Sequence, residues 1–111
     1  MIKVLGIEHI GIALKDNKQL ANIFKDIVDL SYSGSEVIDE QGVKTEIFNA
    51  VNTKIELLES ISEDSPINKY ISKHGEGIHH IALIVEDIES AINYLLQKNI
   101  SMIDREPKIG V

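Results

Sequence analysis

A repeat at a constant offset of 71 residues constrains this chain more than any other feature. The segment His9-Ile10-Gly11-Ile12-Ala13-Leu14-Lys15-Asp16 reads against His80-Ile81-Ala82-Leu83-Ile84-Val85-Glu86-Asp87. Each copy opens on a histidine, continues as an apolar run and reaches an acidic residue just ahead of a helical pattern. Such repetition makes a chain build one supersecondary unit twice. Two units packed about a pseudo-twofold axis bring equivalent positions to one cleft. His9 and His80 can then face each other, and two facing histidines are half of a metal site.

The first copy reads as β-α-β-β-β. Residues Val4–Leu14 are apolar with little alternation, the pattern of a strand covered on both faces. Leu20, Ile23, Phe24 and Ile27 recur at helical spacing over residues 18–28, with Asp16 or Asn17 as N-cap. Strands are predicted over residues 30–37, 43–50 and 54–58, with turns at Gln41-Gly42 and Asn52-Thr53. Asp64-Ser65-Pro66 reads as a helix start with proline at the first helical position. Ile67, Tyr70 and Ile71 form that helix's apolar stripe, and Gly75 and Gly77 end it.

The second copy has a strand over residues 81–85, then a helix bearing Ile88, Ala91, Ile92, Leu95 and Leu96, then a strand over residues 100–103. The expected organisation is one domain over residues 1–111, with module one at about residues 1–60 and module two at about residues 78–111. In the first copy Gly42-Val43 is followed by two further strands; in the second, Gly110-Val111 stands at the corresponding place and the sequence stops. The second module is therefore read as incomplete; because an open sheet edge exposes unpaired backbone groups, either the sequence is part of a longer chain, the preferred reading, or another element covers that edge.

The residue inventory limits the chemistry. There is no cysteine, so any metal must be held by imidazole, carboxylate or amide groups. Imidazole and carboxylate suit Zn²⁺, Co²⁺, Ni²⁺ and Mn²⁺. Glu56 stands between Ile55 and Leu57 in an otherwise apolar strand. A carboxylate pointing inward there is costly unless it is paired or bound to metal. His9, Glu56 and His80 thus form a partial site.

Plainer readings stand beside this one. A histidine at a strand start is usually a partly buried, hydrogen-bonded residue, and the alternation around Glu56 also fits a side chain facing water. His79 adjoins His80, but strand alternation sends the two to opposite faces, and the repeat register selects His80. His74 falls near a helix C-terminus, where the dipole favours histidine, and is read as structural. Glu59, Glu63 and Asp64 are read as a solvated loop. The formal net charge of −7 argues against a nucleic-acid surface, which needs clustered Lys and Arg. No apolar run approaches the roughly 18 residues of a spanning helix, and no signal-peptide pattern is visible, so the expectation is a cytoplasmic protein without a membrane partner.

The same segments resemble the methylmalonyl-CoA epimerases of the vicinal oxygen chelate (glyoxalase-like) superfamily. The matching stretches are Glu8-His9-Ile10-Gly11-Ile12-Ala13, Gln41-Gly42-Val43, Asn52-Thr53-Lys54-Ile55-Glu56-Leu57-Leu58-Glu59, Asp64-Ser65-Pro66-Ile67, Gly77-Ile78-His79-His80-Ile81-Ala82-Leu83 and Glu106-Pro107-Lys108-Ile109-Gly110. The resemblance implies an α+β fold of paired β-α-β-β-β modules, a curved mixed sheet around a divalent metal (Co, Ni, Zn or Mn). It implies His9, Glu56 and His80 as ligands, a last glutamate ligand on a strand beyond Val111, and a homodimer. The implied substrate is an acyl-CoA thioester. The implied reaction inverts the α-carbon of methylmalonyl-CoA through an enediolate, with the metal as Lewis acid and a base and an acid on opposite faces of the carbon.

One such group in the family follows the Gln-Gly-Val motif. Here Thr45 stands at the matching place and Glu46 one residue further on, which would put Glu46 on the wrong strand face. The catalytic residues are therefore left unassigned. Two alternatives remain: a glyoxalase I-type lactoylglutathione lyase with the same metal chemistry, and a non-catalytic module using the cleft to bind a small molecule.

Overall fold

The computed structural model of the chain describes residues 1–102. Its elements run β1 (Val4–Leu14), α1 (Lys18–Asp26), β2 (Ser31–Ile38), β3 (Val43–Asn49), β4 (Lys54–Ser60), α2 (Pro66–His74), β5 (Gly77–Val85) and α3 (Ile88–Gln97). The strands form one five-stranded sheet in the order β2-β3-β4-β1-β5. β1 and β4 are parallel, whereas β2–β3 and β3–β4 are antiparallel. The fold is α+β with a mixed sheet, as the sequence predicts.

The chain divides into two compact units, Ile7–Ala82, and Met1–Gly6 together with the chain from Leu83 onward. The larger unit has a core on each face of its sheet. Ala13, Val43 and Leu58 pack with Ile67 and Ile71 of α2 on one face. On the other, Leu57 and Phe48 pack with Ala21 of α1, flanked by Ile12, Leu20 and Phe24. Consecutive residues of β1 and β4 therefore both face apolar neighbours, which is why alternation is weak there.

Local chemistry fixes the helix ends. Asp16 Oδ1 accepts the Lys18 N–H at 2.7 Å, while Asn17 turns to the sheet and donates from Nδ2 to the Leu57 carbonyl at 2.9 Å. The two capping candidates thus divide the work. α1 stops at Asp26, earlier than predicted, because the N–H groups of Ile27 and Val28 both bond the Ile23 carbonyl and close the helix. In α2 Ser65 accepts the Asn68 N–H at 3.0 Å, and Pro66 opens the first turn, where its missing N–H costs nothing. Gly42, in the turn before β3, has φ +62°, and a Cβ there would lie 2.8 Å from the Ser62 Cβ.

In the smaller unit the Glu86 N–H donates to the Lys3 carbonyl at 3.0 Å. Asp87 caps α3 by accepting from the N–H groups of Glu89 and Ser90. The strand predicted over residues 100–103 is not found at residues 100–102, because the Ile100 N–H bonds the Leu95 carbonyl and closes α3. Ile103 and the Gly110-Val111 pair lie outside the described residues. No helix among the described residues is long and apolar enough to cross a membrane.

Candidate metal centre

Ladder register assembles the site. On β1 and β4, His9 pairs with Lys54 and Gly11 with Glu56. On β3 and β4, Ile47 pairs with Glu56 and Thr45 with Leu58. Paired residues share a sheet face, so His9, Gly11, Glu56, Thr45 and Ile47 lie on one face. It is the face that α2 covers over Ala13 and Leu58.

His9 and Glu56 are both buried, at 5% exposure each. Glu56 Oε2 lies 3.6 Å from His9 Nδ1, beyond hydrogen-bond length. Glu8 Oε1 takes the same Nδ1 at 2.9 Å, and its other oxygen lies 3.2 Å from Lys54 Nζ. The opposite ring nitrogen, His9 Nε2, meets His80 Nε2 at 2.8 Å, with the rings edge to face. The structure therefore brings His9, Glu56 and His80 together, and adds Glu8, which strand alternation would have sent away. No sequence signal distinguishes Glu8 beyond its adjacency to His9.

Gly11 makes this arrangement possible. A Cβ at position 11 would fall within 2.8 Å of both ring nitrogens of His80. The imidazole occupies the space that every other residue type would fill.

His79 is a second addition. Alternation predicts that it turns away from His80, yet their Nδ1 atoms are 2.9 Å apart. The Tyr70 ring lies edge-on to the His79 ring, with centroids 4.8 Å apart, and helps to hold the imidazole in this position. Burial lowers the pKa of His79, and burial with the neighbouring His9 and His79 charges lowers that of His80, so both rings favour the neutral form. Because a carboxylate accepts, His9 Nδ1–H donates to Glu8, and His80 stands between His9 and His79, bonded to the first through Nε2 and to the second through Nδ1.

The donor set suits a divalent cation. Ligand atoms of Glu8, His9 and Glu56 all lie within 4.8 Å of one another. Burial pushes the Glu56 pKa up, opposed by the His9 charge. A buried carboxylate without a full hydrogen bond is what a cation would relieve.

Glu46 lies elsewhere. It pairs with Leu57 on the opposite face, where it accepts from the Tyr32 hydroxyl and lies 3.7 Å from Lys44 Nζ. His74 stacks on Tyr70 in the last turn of α2. Glu63 and Asp64 are exposed, but Glu59 is not a solvated loop residue. It lies within β4, half-buried, and accepts the Asn17 N–H at 2.7 Å, because Asn17 is drawn onto the sheet.

A model of the Glyoxalase/Bleomycin resistance protein/Dioxygenase superfamily matches residues 8–111. The mitochondrial methylmalonyl-CoA epimerase of Dictyostelium discoideum is 38% identical over 107 residues, covering 94% of this chain and 63% of that protein. The ethylmalonyl-CoA/methylmalonyl-CoA epimerase of Cereibacter sphaeroides is 33% identical over 106 residues, covering 94% of this chain and 79% of that one. A solved variant of Streptomyces coelicolor methylmalonyl-CoA epimerase, in complex with 2-nitronate-propionyl-CoA, superposes with a TM-score of 0.84 at 29% identity, covering 97% and 81% of the two chains. The chain thus spans less than two thirds of the Dictyostelium enzyme's length.

Proposed function

Since the chain belongs to the Glyoxalase/Bleomycin resistance protein/Dioxygenase superfamily, we propose that it is a metal-dependent epimerase inverting the α-carbon of methylmalonyl-CoA. The observation that carries this reading is the meeting of His9 and His80, Nε2 to Nε2 at 2.8 Å, with the buried Glu56 carboxylate 3.6 Å from the other ring nitrogen of His9. The relatives named above support the substrate class, an acyl-CoA thioester.

His9, Glu56 and His80 would hold the cation. A bound divalent cation would supply Lewis acidity to the substrate's carbonyl oxygen. Glu8 fixes the His9 ring through Nδ1, and Lys54 balances the Glu8 charge. His79 fixes His80 in the same way from the other side. Such outer partners set ring orientation and ligand basicity. Epimerisation also needs a proton taken from one face of the carbon and one returned to the other. The homodimer is carried over from the family as part of this proposal.

The test uses full-length protein reconstituted with Co²⁺ and assayed with methylmalonyl-CoA and with a glutathione hemithioacetal. Epimerisation of the first and inertness toward the second are expected. Turnover of the hemithioacetal alone would make the protein a lyase. A protein that retains no divalent ion and exchanges no α-hydrogen would be a binding module.

A further inference from the structure

The strand register shows where a proton-moving carboxylate can come from on this face. Beyond Glu56 the next residues outward are Ile47 and Thr45 on β3. Ile47 is apolar, and Thr45 is 1% exposed with a hydroxyl too weakly acidic to serve as a base. β2 follows, and its register sets Gly34 beside Ile47 and Glu36 beside Thr45. Among the described strand residues of this face, Glu36 and Glu56 are the carboxylates. Glu8 is engaged by His9 and Lys54, and Glu46 is on the other face beside Tyr32.

Glu36 is exposed, and no described residue holds it by a hydrogen bond or ion pair. It stands two strands and two residues from Glu56, a backbone separation of roughly 12 Å. Gly34 beside it leaves open space above the sheet.

We propose that Glu36 carries the α-proton on one face of the substrate carbon. This rests on the epimerase reading. The C–H bond at the α-carbon breaks, and its electron pair passes to the thioester carbonyl as an enolate. The proton bonds to a Glu36 carboxylate oxygen. Inversion is completed by a proton delivered to the opposite face, while protonated Glu36 exchanges with solvent or, in the reverse direction, delivers its proton to its own face.

The experiment follows deuterium uptake at the α-carbon of single methylmalonyl-CoA epimers in D₂O, using Co²⁺-loaded full-length protein. Glu36→Gln should lose about 100-fold or more of the exchange with one epimer, with Co²⁺ affinity and melting temperature unchanged. Glu36→Asp should retain part of it, and Glu46→Gln all of it. Wild-type exchange rates in Glu36→Gln would overturn the assignment while leaving the epimerase reading intact. So would a parallel loss of Co²⁺ binding or stability, which would make Glu36 structural. A wild-type protein without exchange for either epimer would overturn the epimerase reading, and this assignment with it.

Discussion

An imidazole ring lies where a side chain at position 11 would be, and the geometry of the centre depends on that vacancy. Gly11→Ala should push the His80 ring off His9 and cost about 1–3 kcal/mol by overpacking. Urea denaturation reads the cost, and Co²⁺ titration reads the displaced ligand. His79 touches only the far nitrogen of His80. His79→Ala should weaken Co²⁺ binding about 10–100-fold, as loss of an outer partner does, whereas His80→Ala should abolish it; equal effects would make His79 a ligand. The same two histidines set a pH dependence in the metal-free protein. Their folded pKa values lie below the unfolded value, so below about pH 6.5 the unfolded chain binds more protons. Stability should rise with pH up to that value and stop rising from this source above it. Denaturation midpoints across this range should flatten in a His79→Gln, His80→Gln double variant. Glu56 runs the other way, its raised pKa withdrawing stability as pH climbs past the ordinary carboxylate range.

At the level of elements, caps and turns carry separable energies. Ser65 is buried and satisfies the Asn68 N–H, so Ser65→Ala should lower stability by about 1 kcal/mol or more. Between β3 and β4, Val51 adopts φ +73° while fully exposed, a conformation that costs a β-branched residue about 1–2 kcal/mol. Val51→Gly should therefore stabilise the fold by up to about 1 kcal/mol, visible as a raised denaturation midpoint; a lowered midpoint would mean that the turn is not strained. The caps were legible because Ser65-Pro66 and Asp87 act on their own helices within three residues. The division of labour between Asp16 and Asn17 was not, because Asn17 is drawn away by carbonyls on β3 and β4 that no local pattern announces.

For the whole molecule, a cation held by the folded state alone adds stability by mass action. Co²⁺ at 100 times its dissociation constant should add about 2.7 kcal/mol, and none in His80→Ala; an unchanged thermal midpoint in the wild type would argue against a site formed on folding. The 71-residue repeat, the exclusion of thiolate ligands, the bounds of β1 and the trio His9, Glu56 and His80 were all present in the linear chain. They follow from periodicity and residue chemistry, which act locally or repeat. Folding alone decided that Glu8 and not Glu56 accepts the hydrogen bond of His9 Nδ1, that His79 props His80, that Glu46 turns away, and that Gly11 yields its space to an imidazole. Each depends on the register of neighbouring strands and on contacts of a few ångströms between residues far apart in sequence, where one residue of slip reverses a face.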